Sequence, residues 1–236
     1  MNEIDIYGGR DPRDVPTYTI PMAAHYLRMP VPTLRNWVNG YPYETAAGRK
    51  KALPVILPPS NGHRGRVFLS FTNLVEAYVL GSIRRVHEVP LPTVRRSLNF
   101  IAAHFGTKHP LAREKFRTDG VDLFVERFGK LIQVSHKEQG EIRTALNDSL
   151  LRIEYDDGLA GRLFPLSRTA EMAALDQPRV IVIDPRFAFG RPVVAGTGVP
   201  VSEISERFNA GDSVEHLAGE FRLTLDKVQE ALRAAA

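Results

Sequence analysis

The sequence contains no cysteine among its 236 residues, and this absence removes several chemistries at once. Without thiols the chain can form no disulfide, no zinc–thiolate site and no cysteine nucleophile. It also has no apolar run near the roughly 18 residues that a membrane helix needs. The N-terminal stretch MNEIDIYGGRDPRDVP is polar and mixed in charge, so we expect a mobile arm over residues 1–15 rather than a signal peptide. These absences fit a cytoplasmic protein without membrane contact.

Motifs that indicate catalysis or cofactor binding are also missing. The glycine-rich stretch AFGRPVVAGTG lacks the Gly-Lys-Ser/Thr end of a P-loop and the GxGxxG spacing of a dinucleotide site. None of the seven histidines forms a pair at metal-binding helix spacing with a nearby carboxylate. Asp156 and Asp157 are adjacent, so in a strand their side chains point to opposite faces and share a metal poorly. We therefore predict no enzyme, no metal and no cofactor.

Charge is present in quantity, and it is distributed unevenly along the chain. Residues 1–118 contain 17 Lys and Arg against 8 Asp and Glu, a net charge of +9. Residues 119–236 contain 14 Lys and Arg against 19 Asp and Glu, a net charge of −5. A basic front half indicates an anionic partner, for which nucleic acid is the natural candidate. The alternative is an uneven decoration of the surface without a partner.

The basic half begins with a pattern typical of a helix-turn-helix. Apolar residues from Ile20 to Leu27 recur at helical spacing, and two prolines then interrupt the helix. A second helix is predicted from Pro32 to Asn39, with Trp37 in register with the apolar side. Gly40 ends it where a left-handed residue is needed. Two short helices joined by a tight turn form the helix-turn-helix motif.

Two β-prone runs follow, at Leu53–Leu57 and Val67–Phe71, and the loop PPSNGHRGR separates them. A hairpin with a basic tip after a helix-turn-helix is a wing, and it can lie along the DNA backbone. On the second helix, Arg can pair with guanine and Asn with adenine through two hydrogen bonds each. The predicted DNA-binding residues are Thr33, Arg35, Asn36, Arg49, Lys50, Lys51, His63, Arg64 and Arg66. The alternative for the basic residues is a solvated loop.

Two further helices complete the front unit, one capped at Thr72 and one running from Leu91 to Phe105. Five residues share one face of the second of these helices: Val94, Leu98, Ile101, Ala102 and Phe105. That face is a candidate dimer interface, because two-fold symmetry matched to a palindrome strengthens DNA binding by a helix-turn-helix. An internal core face is the equally good alternative.

The next stretch predicts a small α+β module over residues 107–177. FRTDGVDLFVERFGKLIQVS predicts two or three strands, with turns at Asp119–Gly120 and Phe128–Gly129. A helix over Glu138–Leu150 and a hairpin turning at Asp157–Gly158 follow. Such a module could also enclose a ligand pocket.

The last unit, residues 178–236, opens with the strand RVIVID and a long loop. Three short helices follow, at Val201–Asn209, Ser213–Glu220 and Thr224–Ala234. The predicted fold class is therefore α+β and mainly helical. It comprises an N-terminal winged helix-turn-helix over residues 16–106, the middle module, and a C-terminal three-helix domain of helix-turn-helix type.

The loop from Pro185 to Pro200 contains Phe187, Phe189 and Arg191 between stiffening glycines and prolines. Aromatic residues and arginine dominate the energetics of protein interfaces, so these three are the candidate protein-binding residues. The alternative is that Phe187 and Phe189 pack onto the C-terminal helices as core.

The front unit resembles the MerR-like winged helix-turn-helix family. The matching stretches are TIPMAAHYLRMPVPTLRNWV, with its pair Ala23–Ala24 and its Thr33–Trp37 segment, and the Arg66–Phe68 segment of the proposed wing. The long insert Tyr41–Pro59 and the lack of cysteine depart from that family. Metal sensing is therefore not carried over.

The last unit resembles a small antitoxin-associated domain of unknown function built as a helix-turn-helix. The resemblance rests on Asp184–Pro185, Gly190–Pro192, Gly196–Thr197 and Ala210–Gly211, whereas Gly198 stands where many members have arginine. The whole arrangement is similar to the long VapB-like antitoxins of actinobacteria. This resemblance implies an antitoxin of a type II system that neutralises a PIN-type ribonuclease toxin and represses its own operon. It also implies operator DNA, a bacterial cytosol, and a homodimer within a toxin–antitoxin hetero-oligomer.

The resemblance leaves open which helix-turn-helix contacts DNA. Residues 180–236 contain 6 Lys and Arg against 8 Asp and Glu, a net charge of −2. We therefore assign DNA to the front unit, and toxin binding through Phe187, Phe189 and Arg191 to the last. The competing hypotheses are a stand-alone MerR-like transcription regulator whose middle module binds a ligand, and a nucleic-acid enzyme, for which we find no clustered carboxylates.

Overall fold

The structure, a computed structural model, describes residues 7–45, 48–59, 66–86, 91–132, 135–168 and 174–236 as a helix-rich α+β protein. Its α-helices are α1 Ile20–Tyr26, α2 Val31–Asn39, α3 Phe71–Val86, α4 Leu91–Phe105, α5 Val121–Ile132, α6 His136–Leu150, α7 Val201–Asn209, α8 Val214–Phe221 and α9 Leu225–Ala235. Its strands are β1 Tyr18–Thr19, β2 Pro42–Thr45, β3 Gly48–Lys51, β4 Phe68–Leu69, β5 Ile153–Asp156, β6 Leu159–Leu163, β7 Ile181–Val182 and β8 Val193–Val194. They pair antiparallel as β1–β4, β2–β3, β5–β6 and β7–β8. Within these ranges, every helix is too short or too polar to cross a membrane.

Local sequence explains the first two helices. The Thr19 hydroxyl caps α1 by accepting the backbone N–H of Met22, and a proline lies in the first turn, as its fixed φ angle favours. Arg28 adopts a left-handed φ of 49° in the turn to α2. The apolar side of α2 is buried, and Trp37 is only 1% exposed within it.

The hairpin predicted after α2 lies elsewhere. The run Leu53–Leu57 is not a strand, because two of its N–H groups donate to the Trp37 carbonyl and tie it to the end of α2. Of the run Val67–Phe71, only β4 is extended, and it pairs with β1. The observed hairpin is β2–β3, inside the stretch interpreted as an insert. The predicted tip, at residues 60–65, lies outside the described residues.

The strands predicted at the start of the middle module are also wrong. That segment forms a π-helical turn over Phe116–Gly120 and then α5. Val121, Phe124, Val125 and Phe128 are buried at the spacing of one helix face. Aromatic and β-branched composition favours a strand, but this spacing lets a helix cover the core. The later elements agree with prediction: α6 ends at Leu150 as predicted, and the β5–β6 turn lies at residues 157–158. Ser135, which the prediction placed in the strand segment, caps α6.

The α4 face considered for dimerisation is covered by the chain itself. Val94, Leu98 and Ile101 are all buried, and α4 packs against α5. The alternative of an internal core face is therefore correct for these three side chains. Ala102 and Phe105, at the end of the same face, are partly buried.

Residues 7–15 are attached to the rest of the protein, which corrects the expectation of a mobile arm for this stretch. The Tyr7 hydroxyl donates to the carbonyl of Pro185 at 2.8 Å. The Arg13 guanidinium donates to the carbonyl of Asp156 at 2.9 Å. The segment therefore contacts both the middle module and the last unit. The first six residues lie outside the described ranges.

Two main hydrophobic clusters organise the chain. One runs through α1 to α6 and the β5–β6 hairpin, so the front and middle units pack on a shared core. The other is enclosed by α7, α8 and α9 together with β7 and β8, and includes Ile204, Leu217 and Val228. Between the β5–β6 hairpin and β7, the structure describes residues 164–168 and 174–180.

One arginine holds these two described stretches together. The Arg152 side chain is almost fully buried, and its guanidinium donates hydrogen bonds to five backbone carbonyl oxygens. The acceptors are Phe164 at 2.8 Å, Pro165 at 3.2 Å, Ala174 at 2.9 Å, Gln177 at 2.8 Å and Pro178 at 3.0 Å. Burial lowers the pKa of Arg152, but an arginine remains protonated in a folded protein. The planar group with its five N–H donors therefore matches this set of acceptors.

We expect Arg152→Lys to lower the free energy of unfolding by about 2–4 kcal/mol, because a lysine ammonium has three donors and leaves buried carbonyls unsatisfied. Urea denaturation followed by circular dichroism measures the change. Arg143→Lys is the matched control: Arg143 pairs with Asp122 at the surface, with 45% of its side chain exposed, and its replacement should change stability by less than about 0.5 kcal/mol. Equal stabilities of the two variants would contradict the role given to Arg152.

Candidate functional site

The polar side of α2 is open to solvent. Arg35 and Asn36 are exposed, and Thr33 is half-buried at the first turn. Trp37 lies on the opposite, buried side, so it has a core role and cannot stack on a base. The two side chains best suited to read base edges are thus both accessible on one short helix.

A basic hairpin follows α2. Arg49, Lys50 and Lys51 are consecutive on β3, and all three are exposed. The Arg49 guanidinium lies 3.9 Å from the Glu44 carboxylate on β2, and both side chains are more than two-thirds exposed, so this pair contributes little. Arg66 is exposed just before β4. His63 and Arg64 lie outside the described residues.

Gly40 joins the hairpin to α2. Its φ of 69° is left-handed, and a Cβ there would lie 1.9 Å from the carbonyl oxygen of Ala52. The Ala52 N–H in turn donates to the Tyr41 carbonyl at 2.8 Å. The chain leaving β3 therefore crosses directly over the end of α2. This crossing places the three cations of β3 on a hairpin anchored at the helix that carries Arg35 and Asn36.

The candidate protein-binding residues lie on one turn, which we call the aromatic turn, residues 187–191. Phe187 and Phe189 are 57% and 62% exposed, so the alternative that they form core is wrong. Ala188, Phe189 and Gly190 have φ angles of 48°, 54° and 72°. A left-handed conformation costs about 1–2 kcal/mol at a residue other than glycine. Backbone strain that holds two phenyl rings in solvent is a feature of binding surfaces.

An ion network supports the base of the aromatic turn. The Asp184 carboxylate is buried and accepts hydrogen bonds from the backbone N–H of Arg186 at 2.9 Å and from its guanidinium at 3.0 Å. Arg162 on β6 donates to the same carboxylate at 3.0 Å. Burial opposes ionisation of Asp184, but the hydrogen bonds from Arg186 and Arg162 outweigh it and hold the pKa below its usual value. The ionised carboxylate thus fixes the loop that precedes Phe187.

Sequence reasoning missed Tyr18, which holds the other end of this turn. Tyr18 is 1% exposed on β1, and its hydroxyl donates to the Gly190 carbonyl at 2.9 Å. A Cβ on Gly190 would lie 2.2 Å from the Tyr18 hydroxyl oxygen, so only glycine fits here. Burial raises the pKa of Tyr18, so the phenol stays a donor. No local pattern in the sequence points to a contact between residues so far apart.

The described residues offer no group of three His, Asp or Glu side chains able to hold a metal ion. The candidate sites are two surfaces: the α2 helix with its basic hairpin, and the aromatic turn.

Comparison with known proteins gives matches at both ends of the chain. Residues 16–98 match a family described as "Putative DNA-binding HTH domain", and residues 181–234 match "Protein of unknown function (DUF433)". The first match contains α2, the basic hairpin and Tyr18. The second contains the aromatic turn and the three C-terminal helices.

Similarity also extends over nearly the whole chain. A Mycobacterium tuberculosis protein named "Putative antitoxin VapB45" is 32% identical over 231 residues, which cover 94% of this chain and 95% of that protein. "Uncharacterized protein Rv2308" from the same organism is 23% identical over 219 residues, covering 87% and 84%. The crystal structure of Rv2018 from Mycobacterium tuberculosis superposes with a TM-score of 0.70 at 26% identity, over 93% of this chain and 98% of that one.

The crossing at Gly40 can be tested against another glycine with a positive φ. Gly40→Ala adds both a left-handed alanine and a clash with the Ala52 carbonyl, so we expect it to lower the free energy of unfolding by about 3 kcal/mol or more. Gly106 has a φ of 63° and open space around its Cβ position, so Gly106→Ala should lose only about 1 kcal/mol. Thermal and urea unfolding of both variants provide the comparison. The clash is refuted if the two losses are the same.

Proposed function

The chain belongs to the family of the mycobacterial protein named "Putative antitoxin VapB45", and from that premise we propose that it is a DNA-binding antitoxin. In this proposal it neutralises a PIN-type ribonuclease, represses its own operon and has no catalytic activity itself. The accessible α2 helix within the region matched to a DNA-binding family is the observation that carries the DNA-binding part.

The DNA surface proposed here combines α2 with the basic hairpin. Arg35 and Asn36 would read base edges in the major groove, with Thr33 beside them. Arg49, Lys50 and Lys51 would neutralise phosphates, so the β2–β3 hairpin would serve as the wing. Net charge supports this placement, because the front half of the chain is basic and residues 180–236 are acidic. Arg66 is proposed to contact phosphate as well, together with His63 and Arg64, which lie outside the described residues.

Operator binding is proposed to involve a homodimer within a toxin–antitoxin complex. A single helix-turn-helix contacts a short DNA site, and two copies related by a two-fold axis contact a site twice as long. Val94, Leu98 and Ile101 on α4 are buried in the fold and are not available to this interface.

The toxin surface proposed here is the aromatic turn. Phe187 and Phe189 provide exposed apolar area, and Arg191 provides an exposed cation whose Nε donates only to the nearby Ala188 carbonyl among the hydrogen bonds described. Since residues 180–236 are acidic as a whole, attraction to a nuclease with a carboxylate-rich site must be local. The turn supplies such a local combination of rings and positive charge.

For DNA, we expect Arg35→Ala to weaken binding to the operator region by about 1–3 kcal/mol and to affect a shuffled duplex little, because a base contact is lost. Lys50→Ala should weaken binding to both duplexes and reduce the salt slope by about one, because a phosphate contact is lost. Fluorescence anisotropy at several salt concentrations measures both effects. Lys130→Ala, at an exposed lysine on α5 paired with Glu126, is the control. Equal losses on both duplexes for Arg35→Ala would refute its reading role.

For the toxin, we expect the double variant Phe187→Ala, Phe189→Ala to bind the nuclease at least about 30-fold more weakly, because aromatic anchors contribute about 2 kcal/mol or more. Co-expression with the nuclease from the neighbouring gene, followed by co-purification and an RNA-cleavage assay, measures the loss. Phe208→Ala is the matched control, since Phe208 on α7 is 42% exposed and lies outside the turn. If the double variant still silences the nuclease, toxin binding must be assigned to another surface.

A further inference from the structure

A cleft of about 490 Å³ separates α1 of the front unit from the last unit. Met22 and Tyr26 line it from α1, Arg191 of the aromatic turn lines it from one end, and Val201 and Ala234 line it from α7 and α9. Met22 is 37% exposed there. The cleft is therefore continuous with the aromatic turn through Arg191.

The chemistry of the cleft is apolar and basic. Among the described residues that line the cleft there is no Asp or Glu, whereas Arg191 and His25 both line it. An apolar segment that carries a carboxylate would bury its side chains against Met22 and Val201 and would compensate the Arg191 charge. A basic segment would meet an uncompensated arginine instead. Charge complementarity thus selects an acidic, apolar occupant.

Tyr18 connects the two walls of this surface. Its ring packs edge-on against Tyr26 of α1, with 6.2 Å between centroids. Its hydroxyl holds the Gly190 carbonyl at the centre of the strained turn. The backbone N–H groups of Gly190 and Arg191 close the turn by donating to the carbonyls of Phe187 and Ala188. The geometry of the turn in the last unit is therefore set in part by a side chain from the front unit.

We infer that the partner surface is composite: an acidic, apolar segment of the protein that covers the aromatic turn also occupies the cleft beside α1, and Tyr18 positions the turn for it. This inference rests on the proposed function, because the occupant belongs to the same nuclease. It assigns α1 of the front unit a part in partner binding, separate from the DNA contacts of α2. The last unit alone lacks one wall of the surface.

The positioning role of Tyr18 is tested first without any partner. In the full-length Tyr18→Phe variant, the amide protons of Gly190 and Arg191 should exchange with solvent at least tenfold faster, because the turn loses its hydrogen bond to the front unit. Tyr155→Phe is the control, since the Tyr155 hydroxyl is buried without a hydrogen-bond partner among the described residues. Unchanged exchange at both amides in Tyr18→Phe would overturn the positioning role.

The acidic character of the occupant is tested by introducing a negative or a positive charge at Met22. Met22→Glu should weaken binding of the co-expressed PIN-type nuclease at least tenfold, whereas Met22→Lys should retain or tighten it. Equal weakening by both variants, or no effect of either, would overturn an acidic occupant. If Met22→Glu instead changes the sedimentation mass of the protein alone, the cleft binds a second copy and the inference is also wrong.

The double variant Phe187→Ala, Phe189→Ala separates this inference from the proposed function. If that variant no longer binds the nuclease and both Met22 variants still do, toxin binding at the turn is supported and only the inference of a composite surface is wrong. If the double variant keeps the nuclease, the proposed toxin surface itself fails. Tyr18→Phe alone should weaken binding of the nuclease. Added to the double variant, it should cause no further loss of binding, since Tyr18 acts through the turn.

Discussion

The buried guanidinium of Arg152 has backbone carbonyls for hydrogen-bond partners, and those carbonyls come from both sides of the segment joining the middle module to the last unit. Because this single planar cation satisfies five acceptors, it holds residues 164–165 and 174–178 against one another. Tyr7, Tyr18 and Arg162 add contacts to the last unit, through Pro185, Gly190 and Asp184. The last unit, with its aromatic turn, is therefore attached to the front and middle units both at this joint and across its surface.

Much of the helical fold could be predicted from the sequence, because its signals are local. Thr19, Ser213 and Thr224 cap helices as their positions indicate, and the three C-terminal helices start and end within one residue of prediction. The errors occurred where composition and periodicity disagree. Around Phe124, aromatic and branched residues favour a strand, while the i, i+3, i+4, i+7 burial spacing belongs to a helix. The hairpin after α2 was misplaced because tertiary hydrogen bonds to Trp37 overrode local β propensity.

The candidate site was predictable in its residue types and not in its assembly. Arg35 and Asn36 follow from the polar side of a helix. The glycine- and proline-rich loop pointed to Phe187 and Phe189 but left open whether they are exposed or form core. That Phe189 adopts a left-handed backbone cannot be read from its neighbours, since phenylalanine disfavours it. The contact from Tyr18 joins residues that no periodicity relates. Long-range contacts of this kind depend on the three-dimensional arrangement of whole units, which local pattern does not encode.

The hydrogen bonds from the Tyr7 and Tyr18 hydroxyls also have a consequence for folding during synthesis. Their acceptors, the carbonyls of Pro185 and Gly190, lie 178 and 172 residues further along the chain. Synthesis runs from the N-terminus, and early units begin to fold before later ones leave the ribosome. The front unit is therefore completed late, because its buried phenol waits for an acceptor that is translated 172 residues after it. A chain that stops before Gly190 has no acceptor for the Tyr18 hydroxyl and no aromatic turn, so the composite surface forms only after the last unit has been translated.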